Sequence, residues 1–293
     1  NFTRHCLDEG QTEFRDVSNG RADALVAAVE RSAWDGEWYL RAFDDDGRAW
    51  GTSEEQECRI DSIAQSWSIL SDAGDPERTD VAIASARKHL VRDDDNIIRL
   101  LDPAFDRTPR EPGYIKAYPP GVRENGGQYT HAAAWLAIAV ARNRDGDGAM
   151  SLLDRINPIR HTSTRETADH YRTEPYVVAA DIAGVIPHLG RGGWTWYTGA
   201  AAWTWRLAVE EILGVRLIQN ELHIRPNLPR DWDRAEMTFR RGAATIAVTL
   251  QVDLDFELQT QVVVDGADWY APGIPFPEEG KTRHVLVRLA RPA

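Results

Sequence analysis

Near residue 214 the spacing of apolar residues changes period, and that change limits the chain to a helical part followed by a β part. Before it, Ala22, Leu25, Val26 and Val29 form one stripe and Ala202, Trp205, Val209, Ile212 and Leu213 another, at the spacing of a helix face turned to a core. Further helices are predicted from Asp61 to Ser71, from Pro76 to Val91 with a first-turn proline, from Gln128 to Arg142 and from Val177 to Ile186. From Val215 the runs are short and of β type: VRLI, a Gln219-Asn220 turn, ELHI, then AATIAVTLQV, TQVVVDG and HVLVRL. Alternation of Ile246, Val248 and Leu250 turns one face inward. The expected architecture is mainly α with a β tail, divided into residues 1–214 and a small antiparallel sandwich over 215–293.

Several function classes fall away. The 293 residues carry 46 acidic and 34 basic side chains, a net charge of -12, which repels polyanions and leaves no basic stripe for nucleic acid. No run approaches the roughly 18 to 20 apolar residues of a membrane span. Two cysteines, Cys6 and Cys58, make neither a disulfide framework nor a soft metal site. In RDGDG, Asp145 and Asp147 resemble the start of a calcium loop, but Ile156 stands at the twelfth position, so no metal is expected. His161, His170 and His188 lack ligand spacing and read as surface or loop residues. The first residue is Asn1, not Met, consistent with a piece of something longer.

The chemistry gathers in loops. Of 11 tryptophans, Trp67, Trp135 and Trp205 are expected to plug a helical core, while those in polar loops suit the flat C–H faces of sugar rings. The segment Trp34 to Gly47 mixes aromatic and charged groups, with Asp44 to Asp46 equally readable as a solvated acidic run. In YPPGVRENGGQYTHAA, prolines and glycines stiffen a loop that presents Glu124, Asn125, Gln128 and His131 at a helix start. Asn125 and Thr130 are equally readable as a capping network. In GRGGWTWYTGAAAW a glycine-rich turn enters a helix at Thr198 and Gly199, an anion-binding arrangement or a tight packing turn.

Taken together, ECRIDSIAQSW, PGYIKAYPPGVRENGGQYTHAA, INPIRH, YRTEPYVVAADI and GRGGWTWYTGAAAW resemble, in order and spacing, the C-terminal part of glycoside hydrolase family 94. Within it they are most similar to the phosphorylase-type domain at the C-terminal end of cyclic β-1,2-glucan synthases. The resemblance implies an incomplete (α/α)6 barrel followed by a jelly-roll-like β domain. It implies inverting phosphorolysis of β-glucosides, in which a carboxylic acid protonates the leaving oxygen while inorganic phosphate, a co-substrate and not a cofactor, attacks the anomeric carbon. By resemblance His131, Thr198 and Gly199 hold phosphate. The same resemblance implies that Glu124 and Gln128 line the sugar and phosphate pocket and that Arg41, Glu174 and Trp194 contribute to substrate binding.

The family's general acid lies in a Trp-Asn-Asp motif, and no such triplet occurs in this sequence, so the acid is expected upstream of Asn1. The implied partners are a β-glucan oligosaccharide, phosphate, and the missing part of the barrel or a second copy. The implied setting is the bacterial cytoplasm, with a membrane-bound synthase as one context. Two alternatives stand beside phosphorolysis: a non-catalytic carbohydrate-binding module, and a glycoside hydrolase on the same barrel. A barrel lacking helices should expose apolar stripes around Val26 or Leu136.

Overall fold

The computed structural model describes Cys6, residues 9–253 and residues 260–290. Contacts group the chain into two units interleaved in sequence, residues 1–139 with 155–198, and residues 140–154 with 199–293.

The first unit opens with helix α1 (Thr12–Ser32), which buries none of its residues. The stripe of Ala22, Leu25, Val26 and Val29 is therefore not a core face: Leu25 is 67% exposed and Val26 only half-buried. A carboxylate holds the helix instead. Glu30 accepts hydrogen bonds from the Tyr39 hydroxyl (2.7 Å), the Asp75 backbone N–H (2.9 Å) and the Arg78 guanidinium (2.8 Å). Helices α2 (Ser62–Leu70) and α3 (Pro76–Leu90) follow, within a residue of their predicted bounds. Each starts at an aspartate whose side chain accepts two backbone N–H groups, Asp61 from Ile63 and Ala64, Asp75 from Glu77 and Arg78.

Short strands stitch the loops between these helices: β1 (Ala42–Phe43) with β2 (Ala49–Trp50), β3 (Ile60–Asp61) with β6 (Leu101–Asp102), and β4 (Val91–Arg92) with β5 (Ile97–Ile98). Their core includes Trp50, Cys58, Leu100, Leu101 and Phe105. Trp38 is buried too, and its indole N–H reaches the Gly51 carbonyl at 2.8 Å. Trp67 and Trp205 are exposed and do not plug the core as expected, while Trp135 is half-buried and packs against it. Trp38 and Trp50 sit in loops that fold inward, which helical periodicity does not register.

The rest of this unit holds β7 (Gln128–Tyr129), the start of α4 (Thr130–Arg142), α6 (Pro158–His161), α7 (Arg165–Tyr171), β8 (Asp181–Ile182) and β9 (Gly192–Gly193). The helix predicted over Val177 to Ile186 does not form. Its amides find tertiary partners: Ala180 N–H donates to the Trp194 carbonyl, Ala183 N–H to Arg191 and Gly184 N–H to Gly121. Leu136, expected on an exposed stripe, is fully buried on α4. His161 is buried and stacked on Tyr171, with ring centroids 4.8 Å apart, so it is not the surface residue expected.

In the second unit α5 (Gly146–Ile156) starts where any side chain on Gly146 would strike the Asn227 and Leu228 carbonyls, at 2.6 and 2.8 Å. Asp145 caps this helix through the Gly148 N–H at 2.7 Å. Among the described residues no group of His, Cys, Asp and Glu could hold a metal ion. Helix α8 (Ala200–Arg206) continues as one wide π turn over Leu207–Ile212. That turn shifts the buried face to Leu207 and Ile212, leaving Ala202 and Trp205 of the predicted stripe exposed.

Strands β10 (Val215–Ile218), β11 (Glu221–Ile224) and β16 (Ile274–Pro275) form one sheet. A second is ordered β12 (Arg234–Arg241), β13 (Ala244–Asp253), β17 (Thr282–Ala290), β14 (Thr260–Val264), β15 (Ala267–Asp268). Ile246, Val248 and Leu250 point inward as predicted, against Val285 and Val287. The tail is not wholly antiparallel. β13 and β17 run parallel because the chain between them passes through β14 to β16 before returning, a crossover that parallel pairing requires.

Candidate active site

The loop before β7 is folded by residues with no alternative. Gly121 and Gly126 take left-handed φ of 81° and 83°, and a Cβ on Gly121 would lie 2.5 Å from Val185. Asn125 is the staple: its Oδ1 accepts from Phe105 N–H at 2.7 Å, and its Nδ2 donates to the Phe105 and Tyr118 carbonyls at 2.8 Å each. It is a satisfied network residue, though of the loop and not of a helix end. The reversal forces Arg123 to φ 51°, a region that side-chain-bearing residues seldom enter, and projects Arg123 and Glu124 together.

Three strands receive this loop. β8 pairs antiparallel with both β7 and β9, with Ile182 between Gln128 and Gly192, and Asp181 between Tyr129 and Gly193. Paired residues share a face and successive residues alternate. Gln128 and Ile182 are fully buried, and Gln128 Oε1 accepts from Ile98 N–H at 2.7 Å while its Nε2 has no hydrogen-bond partner. The Tyr129 and Asp181 face meets the charges of the loop. Arg123 Nε lies 3.6 Å from Glu124 Oε2, and an Arg123 terminal nitrogen lies 4.0 Å from Asp181 Oδ1. The guanidinium carbon stands 5.6, 6.0 and 5.8 Å from the ring centroids of Tyr118, Tyr129 and Trp194. Burial first, with Glu124 adding to it, holds the Asp181 carboxyl above the ordinary carboxylate range despite the opposing pull of Arg123.

Beyond β9 the chain presents aromatic faces. Trp194 and Trp196 both adopt left-handed φ, 53° and 69°, and both rings are exposed. The Trp196 indole N–H donates to Glu174 Oε1 at 3.0 Å. Its own backbone N–H, then Trp196 and Thr195, hold the Glu174 carboxyl below its usual range. Glu174, Trp194, Gly192 and Gly193 line an open groove of about 580 Å³ with Arg172 and Arg191.

His131, in the first turn of α4, stacks on Tyr129 with centroids 5.9 Å apart and lies 5.7 Å from Trp135. Burial pushes its imidazole down. Thr198 is the last residue of the first unit and Gly199 belongs to the second; the helix starts at Ala200, so they precede its first turn and Gly199 stands at its N-cap. Arg41 pairs with Asp61, the buried cap of α2, and so lies within a structural ion pair. Asp44 accepts from the Arg48 and Asp46 backbones and pairs with Arg110 at 3.2 Å, so the acidic run is a folded turn. Arg123, Tyr129 and Asp181 were not legible as site residues. Asp181 falls within the run from Val177 to Ile186 whose pattern predicts a helix, where a lone carboxylate between Ala180 and Ile182 is the available signal.

Residues 1–214 match the catalytic domain of the glycosyl hydrolase 94 superfamily. The chain belongs to this family. Among curated relatives, cyclic beta-(1,2)-glucan synthase NdvB of Rhizobium meliloti (strain 1021) is 48% identical over 79% of this chain and 8% of its own length. The 3-O-beta-D-glucopyranosyl-beta-D-glucuronide phosphorylase of Paenibacillus borealis is 30% identical over 97% of this chain and 36% of its own length. The N,N'-diacetylchitobiose phosphorylase of Vibrio furnissii is 30% identical over 80% of this chain and 29% of its own length. The chain thus spans well under half the length of these relatives. No helix among the described residues is long and apolar enough to cross a membrane.

Proposed function

We propose that this chain is the C-terminal part of a β-1,2-glucan-processing, inverting phosphorylase-type domain. Residues 1–214 are taken as part of an (α/α)6 barrel and 215–293 as a jelly-roll-like domain. The observation that carries the reading is the gathering of Glu124 and Asp181 about Arg123, whose guanidinium also stands near the rings of Tyr129 and Trp194. Charged acceptors and donors beside aromatic faces are what a pyranose ring requires.

In this reading Glu124 and Trp194 contact the sugar and Glu174 fixes Trp196 at the groove, while Gln128, fully buried on the opposite face of β7 from Tyr129, braces the Ile98 backbone behind them. Arg41 enters on the resemblance alone, its guanidinium oriented by Asp61. Phosphate is taken by His131 with the Thr198 hydroxyl. The proton for the leaving oxygen comes from a general acid outside these 293 residues, which contain no Trp-Asn-Asp triplet. That same lack favours a second reading, a carbohydrate-binding module without chemistry.

Calorimetric titration with a β-1,2-linked glucose oligosaccharide, phosphate and glucose 1-phosphate separates the two. The phosphorylase reading expects phosphate to bind and His131→Ala to abolish that binding while glucan binding persists. Glucan binding with no response to phosphate selects the module.

A further inference from the structure

Asp181 helps to mark the site in the reading above but is given no ligand there, and its placement is specific. It stands in the middle strand β8, between Tyr129 on β7 and Gly193 on β9, so a phenol, a carboxyl and a bare Cα lie in a row on one face. A Cβ on Gly193 would come within 3.3 Å of Asp181 Oδ2, tighter than ordinary packing allows, so the missing side chain leaves the carboxyl open on that side.

On its other side two carboxyl groups share one guanidinium without closing on it. The separations of 3.6 and 4.0 Å exceed hydrogen-bond length, and neither Arg123 Nε nor Glu124 Oε2 has a hydrogen-bond partner although both atoms are enclosed. A purely structural ion pair at this depth would be expected to close its bonds. Adjacent ring hydroxyls of a sugar would complete the set, donating to the carboxylates and accepting from the guanidinium.

We infer that Asp181 is a further substrate-binding residue, whose carboxylate receives a ring hydroxyl of a glucosyl unit held beside Arg123 and Glu124. The inference rests on the carbohydrate reading and adds to it the residue that fixes ring orientation. Ionised Asp181 is the form that accepts, so affinity should rise with pH through the raised titration of this carboxyl and fall below it. The titratable and charged groups around it are Arg123 and Glu124 from the loop, Tyr129 from β7 and Tyr171 at the end of α7.

The test is calorimetric titration of the full chain with sophorose, the β-1,2-linked glucose disaccharide, over roughly pH 4.5 to 8 to span the carboxylate range. Asp181→Asn should bind about tenfold more weakly at neutral pH, the loss expected of one charge-assisted hydrogen bond, and should lose the acid-side fall in affinity. Gly193→Ala, which crowds the carboxyl without changing charge, should weaken binding with the pH profile retained. If Asp181→Asn does not fold, Gly193→Ala carries the test. Sophorose bound equally well by the wild type and by both variants overturns the role of Asp181 and leaves the carbohydrate reading standing. A wild type that binds no sophorose overturns the carbohydrate reading and this inference with it.

Discussion

His131 shows how one side chain is set for two charge states. Burial lowers its affinity for a proton, so the free imidazole is neutral near pH 7, whereas an adjacent anion favours the imidazolium. Anion binding should therefore take up a proton, and affinity should increase as pH falls. Sulfate is the cleaner probe, because its own charge is constant across this range. Titrations in buffers of different ionisation enthalpy should show proton uptake in the wild type and none in His131→Ala. Asn125 carries a different load. Asn125→Ala leaves the Phe105 N–H and the Phe105 and Tyr118 carbonyls unpaired, at a cost of about 3 kcal/mol, read from chemical denaturation. Sugar affinity should drop with it, since the loop that projects Arg123 and Glu124 loosens.

At the level of elements, the helices α2 and α3 were legible because their signals are local: an aspartate cap, a first-turn proline and an apolar period. The site was half legible. Glycine and proline marked the loop around Glu124, but the pairing of Tyr129, Asp181 and Gly193 joins segments more than ten residues apart, and such pairing leaves no period to read. Tertiary hydrogen bonds then overrode the helical pattern of Val177 to Ile186. The loop after β6 depends on an element-scale device as well. Glu57 accepts the backbone N–H groups of Asp106, Arg107 and Thr108 at 2.7 to 3.0 Å. Burial raises this carboxyl, but the three amides outweigh it and leave it below its ordinary range. The stability it contributes is thus present above the unfolded carboxyl's titration and is lost as pH falls through the lower folded one. Glu57→Gln should cost about 2 kcal/mol at pH 7 and progressively less in acid, measured by denaturation across pH.

Across the whole molecule, α1 reverses the usual arrangement. Its polar side is anchored through Glu30, while Phe14, Val17, Leu25 and Val29 are exposed. Leu136, by contrast, is covered, so the exposed stripe expected of this fold lies on α1 alone of the two positions considered. Exposed apolar stripes promote association. Leu25→Glu combined with Val29→Glu should reduce self-association in sedimentation velocity without lowering the thermal midpoint, and Glu30→Ala should lower the midpoint by releasing the helix.

The central claim is that one chain binds both a glucan and phosphate, and a calorimetric titration with both ligands decides it. The account predicts that the wild type binds a β-1,2-linked glucose oligosaccharide and, separately, phosphate, with Glu124→Gln impairing the first and His131→Ala the second. A wild type that folds and takes up neither ligand would contradict it.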